Sequence, residues 1–474
     1  MDETYRWLFP FEYIERGSRV LIYGAGNLGQ AYLKQLMMTG YANVVGVVDR
    51  FADKVPPMVV PVYKPDQINS LEFDFVAVAL RGKVGYSEIH RILLEQGVQE
   101  DRIIFISERI NEPSSVFLES QSSADAIQVY AYTNNAPSVA CYLLGGLGDF
   151  IIQKRFIMAL CEILPKIKVD IFVVHNTEFL ELLYRDMPEI HSIIMNTGKE
   201  FERLQSRYAA SFEICGGGFL KIVNLKNELF PSDVQQKFNR LREIIEEEDY
   251  DKYRAMGLMY ARRIRQGLNC FTGFSYNGIF PIRDWHVPIT LNEPDNVVSV
   301  LCDKHYITVN GGNGDAKDGS LIAKTWSGEN FERFIQLFSE ENPDVSVVQV
   351  GAAGNLRFEK AAYHFMGTSF DTVGHILKNA LFHVDIEGGM VHFATQLGTK
   401  CIVLFGPTPV CYYGYETNVN LLAGKCHGCY GYYTDINRCA KEEKRPSCMT
   451  AITPEMVFEA AKRLVNRAVK AGKH

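Results

Sequence analysis

Four short segments combine residue types and spacings that could do chemistry. The first is Gly24-x-Gly26-x-x-Gly29. Glycines there allow a tight turn and close backbone approach, and a helix N-terminus behind them favours a phosphate. Asp49 follows 20 residues after Gly29, where a carboxylate can bind ribose hydroxyls. The plain alternative is a glycine turn packed for the fold. The second segment is Gly145-Gly146-Leu147-Gly148-Asp149. Its glycines at a strand-to-helix turn let a ligand approach the backbone, and the plain alternative is Asp149 as a helix N-cap. The third holds Lys324 and Trp326. The lysine can neutralise a diphosphate as a point charge, or it is a solvated lysine beside a packed tryptophan. The fourth is Glu387-Gly388-Gly389-Met390-Val391-His392. A Gly-Gly step opening a helix offers backbone N–H groups to an anion. Glu387 can accept from sugar hydroxyls, and His392 falls on the first turns. The alternative is a capped helix with a core histidine.

A fifth group is made of thiols. Cys426, Cys429, Cys439 and Cys448 fall within 23 positions. Four thiolates in one loop suit a tetrahedral metal, zinc by base rate or iron. In a reducing compartment metal is favoured over disulfide, with free thiols as the alternative. Such a metal would be structural, a clip for a loop poor in core residues. Cys141, Cys161, Cys215, Cys270 and Cys302 sit in apolar stretches, as small buried hydrophobes do. A basic, aromatic stretch over 250–276 (Lys252, Arg254, Arg262, Arg263 and Arg265 with Tyr253, Tyr260 and Tyr276) suits a phosphorylated acceptor or a solvated helix face.

The elements that must position these groups alternate between strand and helix. Apolar runs at 19–23, 44–48, 73–79 and 103–106 are separated by helical patterns at 27–37 and 86–96. A second series has strands at 139–144, 168–174, 212–214 and 220–224, an amphipathic helix over 150–164 and a charged helical insertion at 232–268. A third has strands at 306–310, 345–350, 381–385 and 400–405, with helices at 328–341 and 454–470. Strand–helix alternation implies α/β units with parallel, doubly wound sheets. The expected division is 1–110, a polar linker over 111–136, then 137–295 and 296–474.

Composition bounds the function. The 474 residues are 47% hydrophobic and 22% charged, with a net charge of −7. This suits about three globular units and argues against a general nucleic-acid binder, whose phosphate affinity needs basic surface. The longest apolar run falls short of a membrane span. The acidic start Met1-Asp2-Glu3 does not read as a secretory signal. The cytoplasm is the expected compartment, with peripheral association at the inner membrane surface left open.

The first unit resembles small nucleotide-binding-type domains appended to sugar-modifying enzymes, through "VLIYGAGNLGQAYLKQL", "VVGVVD" and "FDFVAVAL". The stretch from 138 to 470 resembles the ADP-heptose:lipopolysaccharide heptosyltransferases of glycosyltransferase family 9. It does so through "GGLGDFIIQKRFIMALCEILPKIKVDIFV", "KTWSGENFERFI", "GTSFDTVGHILKNALFHVDIEGGMVHFATQLGTKCIVLFGPT" and "CHGCYGYY…RCAKEEKRPSCMTAITPEMV". The resemblance implies a GT-B fold, two Rossmann-like domains facing across a cleft, here preceded by a small Rossmann-like domain. It also implies inverting sugar transfer from a nucleotide-sugar, most simply ADP-heptose, to a glycan or protein hydroxyl, without Mg²⁺. Asp149 matches the family's catalytic Asp and Lys324 its phosphate-contacting Lys. Glu387, Gly388, Gly389 and His392 match the donor loop. The relatives' cysteines, an iron site in some, match the four here. Four positions depart: Glu387 replaces an Asp, Asn355 a ribose-holding Glu, and Gly311 and Gly312 replace hydroxyl residues. The same motifs leave room for a non-catalytic nucleotide-sugar binder, and the first unit for an NAD-dependent oxidoreductase. Oligomeric state is left open. Asp149 carries a physical tension: a helix N-terminus lowers a carboxyl pKa, and burial on closure raises it.

Overall fold

The computed structural model describes residues 7–83, 85–106, 138–195, 198–248, 256–312, 323–432 and 439–470. The expected linker at 111–136, Lys252, Tyr253 and Arg254 lie outside these. Within them the chain is α/β and forms three sheets in series. The first takes β1 (Arg19–Tyr23), β2 (Asn43–Val48), β3 (Val62–Tyr63), β4 (Phe75–Val78) and β5 (Ile103–Ile104) in the order β3-β2-β1-β4-β5, all parallel. The second takes β6 (Ser138–Leu144), β7 (Lys168–Val173), β8 (Ile190–Met195), β9 (Ala210–Cys215) and β10 (Phe219–Leu225) in the order β10-β9-β6-β7-β8. Only β10 is antiparallel there, as the return arm of a hairpin from β9. The third takes β11 (His305–Val309), β12 (Val345–Gly351), β13 (Tyr363–Met366), β14 (His383–Ile386), β15 (Cys401–Phe405) and β16 (Val419–Leu422) in the order β13-β12-β11-β14-β15-β16. All its pairs are parallel, and the order reverses between β11 and β14. Ligands of open parallel sheets bind at such a reversal, beyond the strands' carboxyl ends.

The central strands are β-branched runs buried on both faces, as parallel strands covered by helices must be; β15 is buried along its whole length. Four strands fall outside the expected runs: β3, β13 and β16, of two to four residues, and β8, which is only partly buried.

The helix Leu147–Ile163 differs from the amphipathic expectation. It is buried nearly all round, Lys154 included. The helix is sandwiched between the second sheet and the helix Gly389–Gln396 of the third unit. Lys154 survives there because Nζ donates to the Leu183 and Pro288 carbonyls and lies 3.2 Å from Asp186. The two halves of the cleft thus share a core rather than a thin seam.

The expected insertion at 232–268 contains two helices, Ser232–Glu248 and Met256–Arg265. The second is no solvated basic face. Arg263, Tyr260 and Tyr276 are buried, and Arg265 turns to the Met37 carbonyl of the first unit. Cys302 is exposed rather than packed.

Candidate active site

The register of β6 against β9 sets Leu144 opposite Cys215. The turns that follow, Gly145–Gly146 and Gly216–Gly218, therefore meet at one end of the sheet, with Asp149 between them. Its Oδ2 accepts from the Gly146 N–H at 2.7 Å. A Cβ on Gly216 would fall 1.7 Å from Asp149 Oδ1, and one on Gly145 2.3 Å from Oδ2. Only glycine lets backbone wall the carboxylate so closely. The N-cap of the 147–163 helix is Gly146, so Asp149 is not the cap; it reaches back from the third helical position. Burial raises its pKa, and the Gly146 N–H, Lys324 and His392 pull it down without cancelling the rise. Desolvation outweighs the helix terminus because the Gly145 and Gly216 backbone packed against the carboxylate displaces water from it.

The opposite wall is built by the turn after β14. Gly388 caps the helix Gly389–Gln396, whose first turn packs on the first turn of the 147–163 helix. A Cβ on Gly389 would lie 2.7 Å from Leu147 Cβ, and one on Gly148 2.7 Å from His392 Cδ2. Two helix N-termini, each partly positive, thereby converge on one space.

Glu387 Oε2 accepts from Lys324 Nζ at 2.7 Å, and Oε1 lies 3.8 Å from His392 Nε2. His392 Nδ1 is 2.6 Å from the Tyr415 hydroxyl. Burial alone would raise the Glu387 pKa; Lys324 and His392 reverse this and hold it at about 2. Burial works against the Lys324 charge, but Glu387, Tyr430 and Asp149 keep its pKa above the ordinary lysine value. Lys324 also sits 4.4 Å from the Tyr430 ring, so it is a held charge and not a solvated one. Trp326 packs in the core and donates to the Ile452 carbonyl.

These groups face a cleft of about 950 Å³ between the second and third sheets. Asp149, Lys324, Glu387 and His392 line it, as do Gly312, Asn355, Gly388 and Gly389. Gly311 does not; its Cα faces the Phe358 ring, which a Cβ would approach to 2.7 Å. At the β11/β14 reversal Asn310 Nδ2 donates to Asp385 Oδ2 at 2.8 Å, leaving Asn310 Oδ1 3.5 Å from Asn355 Nδ2.

The first unit's glycine loop joins β1 to the helix Asn27–Thr39. Gly24 has φ +113°, and a Cβ on Gly29 would fall 1.8 Å from the Gly24 carbonyl oxygen. Gly26 is the N-cap. Asp49 Oδ2 accepts from Ala25 N and Oδ1 from Phe51 N, both at 2.8 Å. Its carboxylate closes the loop's own backbone.

The chain was compared with known proteins. Residues 16–104 match the family model described as C2185-like, N-terminal. No curated protein matches the chain. Among solved structures, the chain is similar to the glycosyl transferase family 9 from Veillonella parvula DSM 2008, at 15% identity and TM-score 0.45, over 71% of this chain and 100% of that one. It is similar to the E. coli ADP-heptose lps heptosyltransferase II, at 15% identity and TM-score 0.43, over 70% of this chain and 99% of that one. A third similar structure is the dodecameric iron-containing heptosyltransferase TibC in complex with ADP-D-beta-D-heptose, at 14% identity and TM-score 0.47, over 70% and 77% of the two chains; another structure of TibC is described as from enterotoxigenic E. coli H10407.

All eleven cysteines are free thiols. Cys426 and Cys448 hydrogen-bond to each other, and Cys429 and Cys439 lie close enough to Cys448 to push its pKa up. By donor type alone the four suit a thiolate-seeking metal. Among the described residues, no group of three or more His, Cys, Asp or Glu is arranged to hold one. No helix there is long and apolar enough to cross a membrane.

Reading the sequence missed the Gly216–Gly218 turn, Tyr430, and the Asn310–Asp385 pair. The first had a visible signal, three glycines directly after an apolar run. Tyr430 stands inside the cysteine loop, where the thiols drew the reading. Asn310 and Asp385 are 75 positions apart and meet only through strand register.

Proposed function

We propose that the cleft is the active site of an inverting GT-B glycosyltransferase. It moves a heptose or related sugar from a nucleotide-sugar to a hydroxyl of a glycan or protein; ADP-heptose as donor comes from the motif resemblance. The observation that carries this reading is the meeting of Asp149 with the Lys324–Glu387 pair and the glycine-opened 389–396 helix in one cleft.

Asp149 accepts the acceptor hydroxyl's proton as its oxygen attacks the anomeric carbon. The bond to the nucleoside diphosphate breaks on the opposite face, and the diphosphate leaves with the electron pair. The Lys324 ammonium and the N–H groups at Gly389 receive that charge from fixed positions. Glu387 holds Lys324 in place and can accept from sugar hydroxyls, with His392 behind it. Asn310 and Asn355 offer amides to the nucleoside. In this reading 137–295 binds the acceptor, 296–474 the donor, and 1–110 is an appended nucleotide-binding-type unit. Cys426, Cys429, Cys439 and Cys448 would hold a structural zinc or iron that fixes the loop carrying Tyr430.

The test is mass spectrometry of purified protein with ADP-heptose and a panel of other nucleotide-sugars. The wild type should hydrolyse or transfer from at least one. Asp149→Ala should abolish turnover and retain ADP binding. A binder without catalysis would show binding and no turnover in either protein, and hydride transfer to NAD would point to the first unit instead.

A further inference from the structure

The Gly216–Gly218 turn beside Asp149 is held by two buried side chains that come from outside β9 and β10. Tyr412 belongs to the short helix Val410–Tyr413, which follows β15 in the third unit. Its hydroxyl donates to the Gly217 carbonyl at 2.5 Å, and its own carbonyl accepts from Cys270 N at 3.1 Å. Arg263, from the helix Met256–Arg265, donates Nη1 to the Gly218 carbonyl and Nη2 to Glu248 at 3.0 Å. Its guanidinium lies 4.2 Å from the Phe219 ring centre. Both side chains are fully buried. Gly217 and Gly218 are hairpin-turn residues, so their carbonyls have no ladder partner and would be costly to bury unpaired. The same turn places Gly216 against the Asp149 carboxylate.

We propose that Tyr412 and Arg263 are positioning residues that lock the Gly216–Gly218 turn onto Asp149, with Tyr412 tying the base's placement to the docking of the donor half. This rests on the transferase reading only for its effect on turnover. Lys324, His392 and Glu387 face Asp149 from the third unit, with Tyr413 and Tyr430 beside them. Cys215 and Cys270 face it from its own side. The Tyr412 variant below leaves all of these in place and removes a hydroxyl that touches the Gly217 carbonyl and, at 3.5 Å, Arg263 Nη1, which itself bonds the turn.

The experiment compares Tyr412→Phe with Tyr306→Phe. Tyr306 is also buried and also donates to a carbonyl, that of Ile376 at 2.9 Å, away from the cleft. Tyr412→Phe should lower kcat about 10-fold with ADP affinity unchanged. The Asp149 titration midpoint, read by carbon-13 NMR of labelled aspartate, should fall toward the ordinary carboxylate range as water reaches it. Tyr306→Phe should change neither. An unchanged midpoint in Tyr412→Phe, or an equal change in Tyr306→Phe, would overturn the proposal. If the wild type transfers no sugar, the midpoint still decides the coupling, and only the transferase reading falls.

Discussion

Asp149 and Glu387 share one cleft and ionise in opposite directions. Asp149 lies against backbone with only part of a cation's attraction, so its pKa rises. Glu387 has Lys324 at 2.7 Å, and its pKa falls to about 2. Two carboxyls pushed apart in this way take separate roles: Glu387 stays charged throughout, and Asp149 can take a proton. Two consequences follow from the sign of the Asp149 shift. A base must be ionised to act, so kcat/KM should rise with pH through a midpoint above the usual carboxylate range, a limb absent from the residual rate of Asp149→Asn. The fold also favours the protonated carboxyl, so the wild type loses stability as pH rises past the ordinary aspartate pKa. Asp149→Asn should therefore raise Tm at neutral pH, and the gain should vanish under acid conditions where both states are protonated. Calorimetry across pH checks this, and no gain at neutral pH would contradict the shift. Both residues were legible from their glycine-flanked motifs. The direction of the Asp149 shift was not, because desolvation depends on walls supplied by Gly216 and by the third unit.

The elements decide how close these groups come. The helices Leu147–Ile163 and Gly389–Gln396 meet through Gly148 and Gly389 because no side chain intervenes. Gly389→Ala would put a methyl 2.7 Å from Leu147 Cβ and 3.0 Å from Gly148 N. Overpacking of this kind costs about 1–3 kcal/mol. The expected result is that loss in denaturant unfolding, with weaker ADP binding by calorimetry as the anion-facing N–H groups shift. Most elements could be read from periodicity and turn residues. The 147–163 helix was misjudged because Lys154 and Arg155 look like a polar face. Nothing local says that the Leu183 and Pro288 carbonyls will bury that lysine.

The whole molecule joins its three units around the cysteine loop. Tyr432 stacks on Phe11 of the first unit at 4.4 Å, Gly257 N donates to the Gly431 carbonyl at 2.8 Å, and Tyr430 covers Lys324. The loop therefore touches both the first unit and the cleft residue Lys324. Elemental analysis of protein purified without chelator should find about one zinc or iron per chain. Cys426→Ser with Cys448→Ser should lose it, lower Tm and weaken ADP binding through Tyr430. Metal-free wild type with four titratable loop thiols would remove the metal from the proposal.

By itself the sequence determined the α/β alternation, the places where strands end in glycine turns, and the order of Asp149, Lys324, Glu387 and His392 along the chain. Each of these is local, set by side-chain period and by the backbone freedom of glycine. Tertiary structure decided what those residues are to one another. Lys324 and Glu387 are 63 positions apart and pair only because β14 adjoins β11 in the sheet. Arg263 reads as a surface cation and becomes a buried brace because Gly218, Glu248 and Phe219 enclose it. Burial and distance set charge, and both come from chain segments far away in sequence.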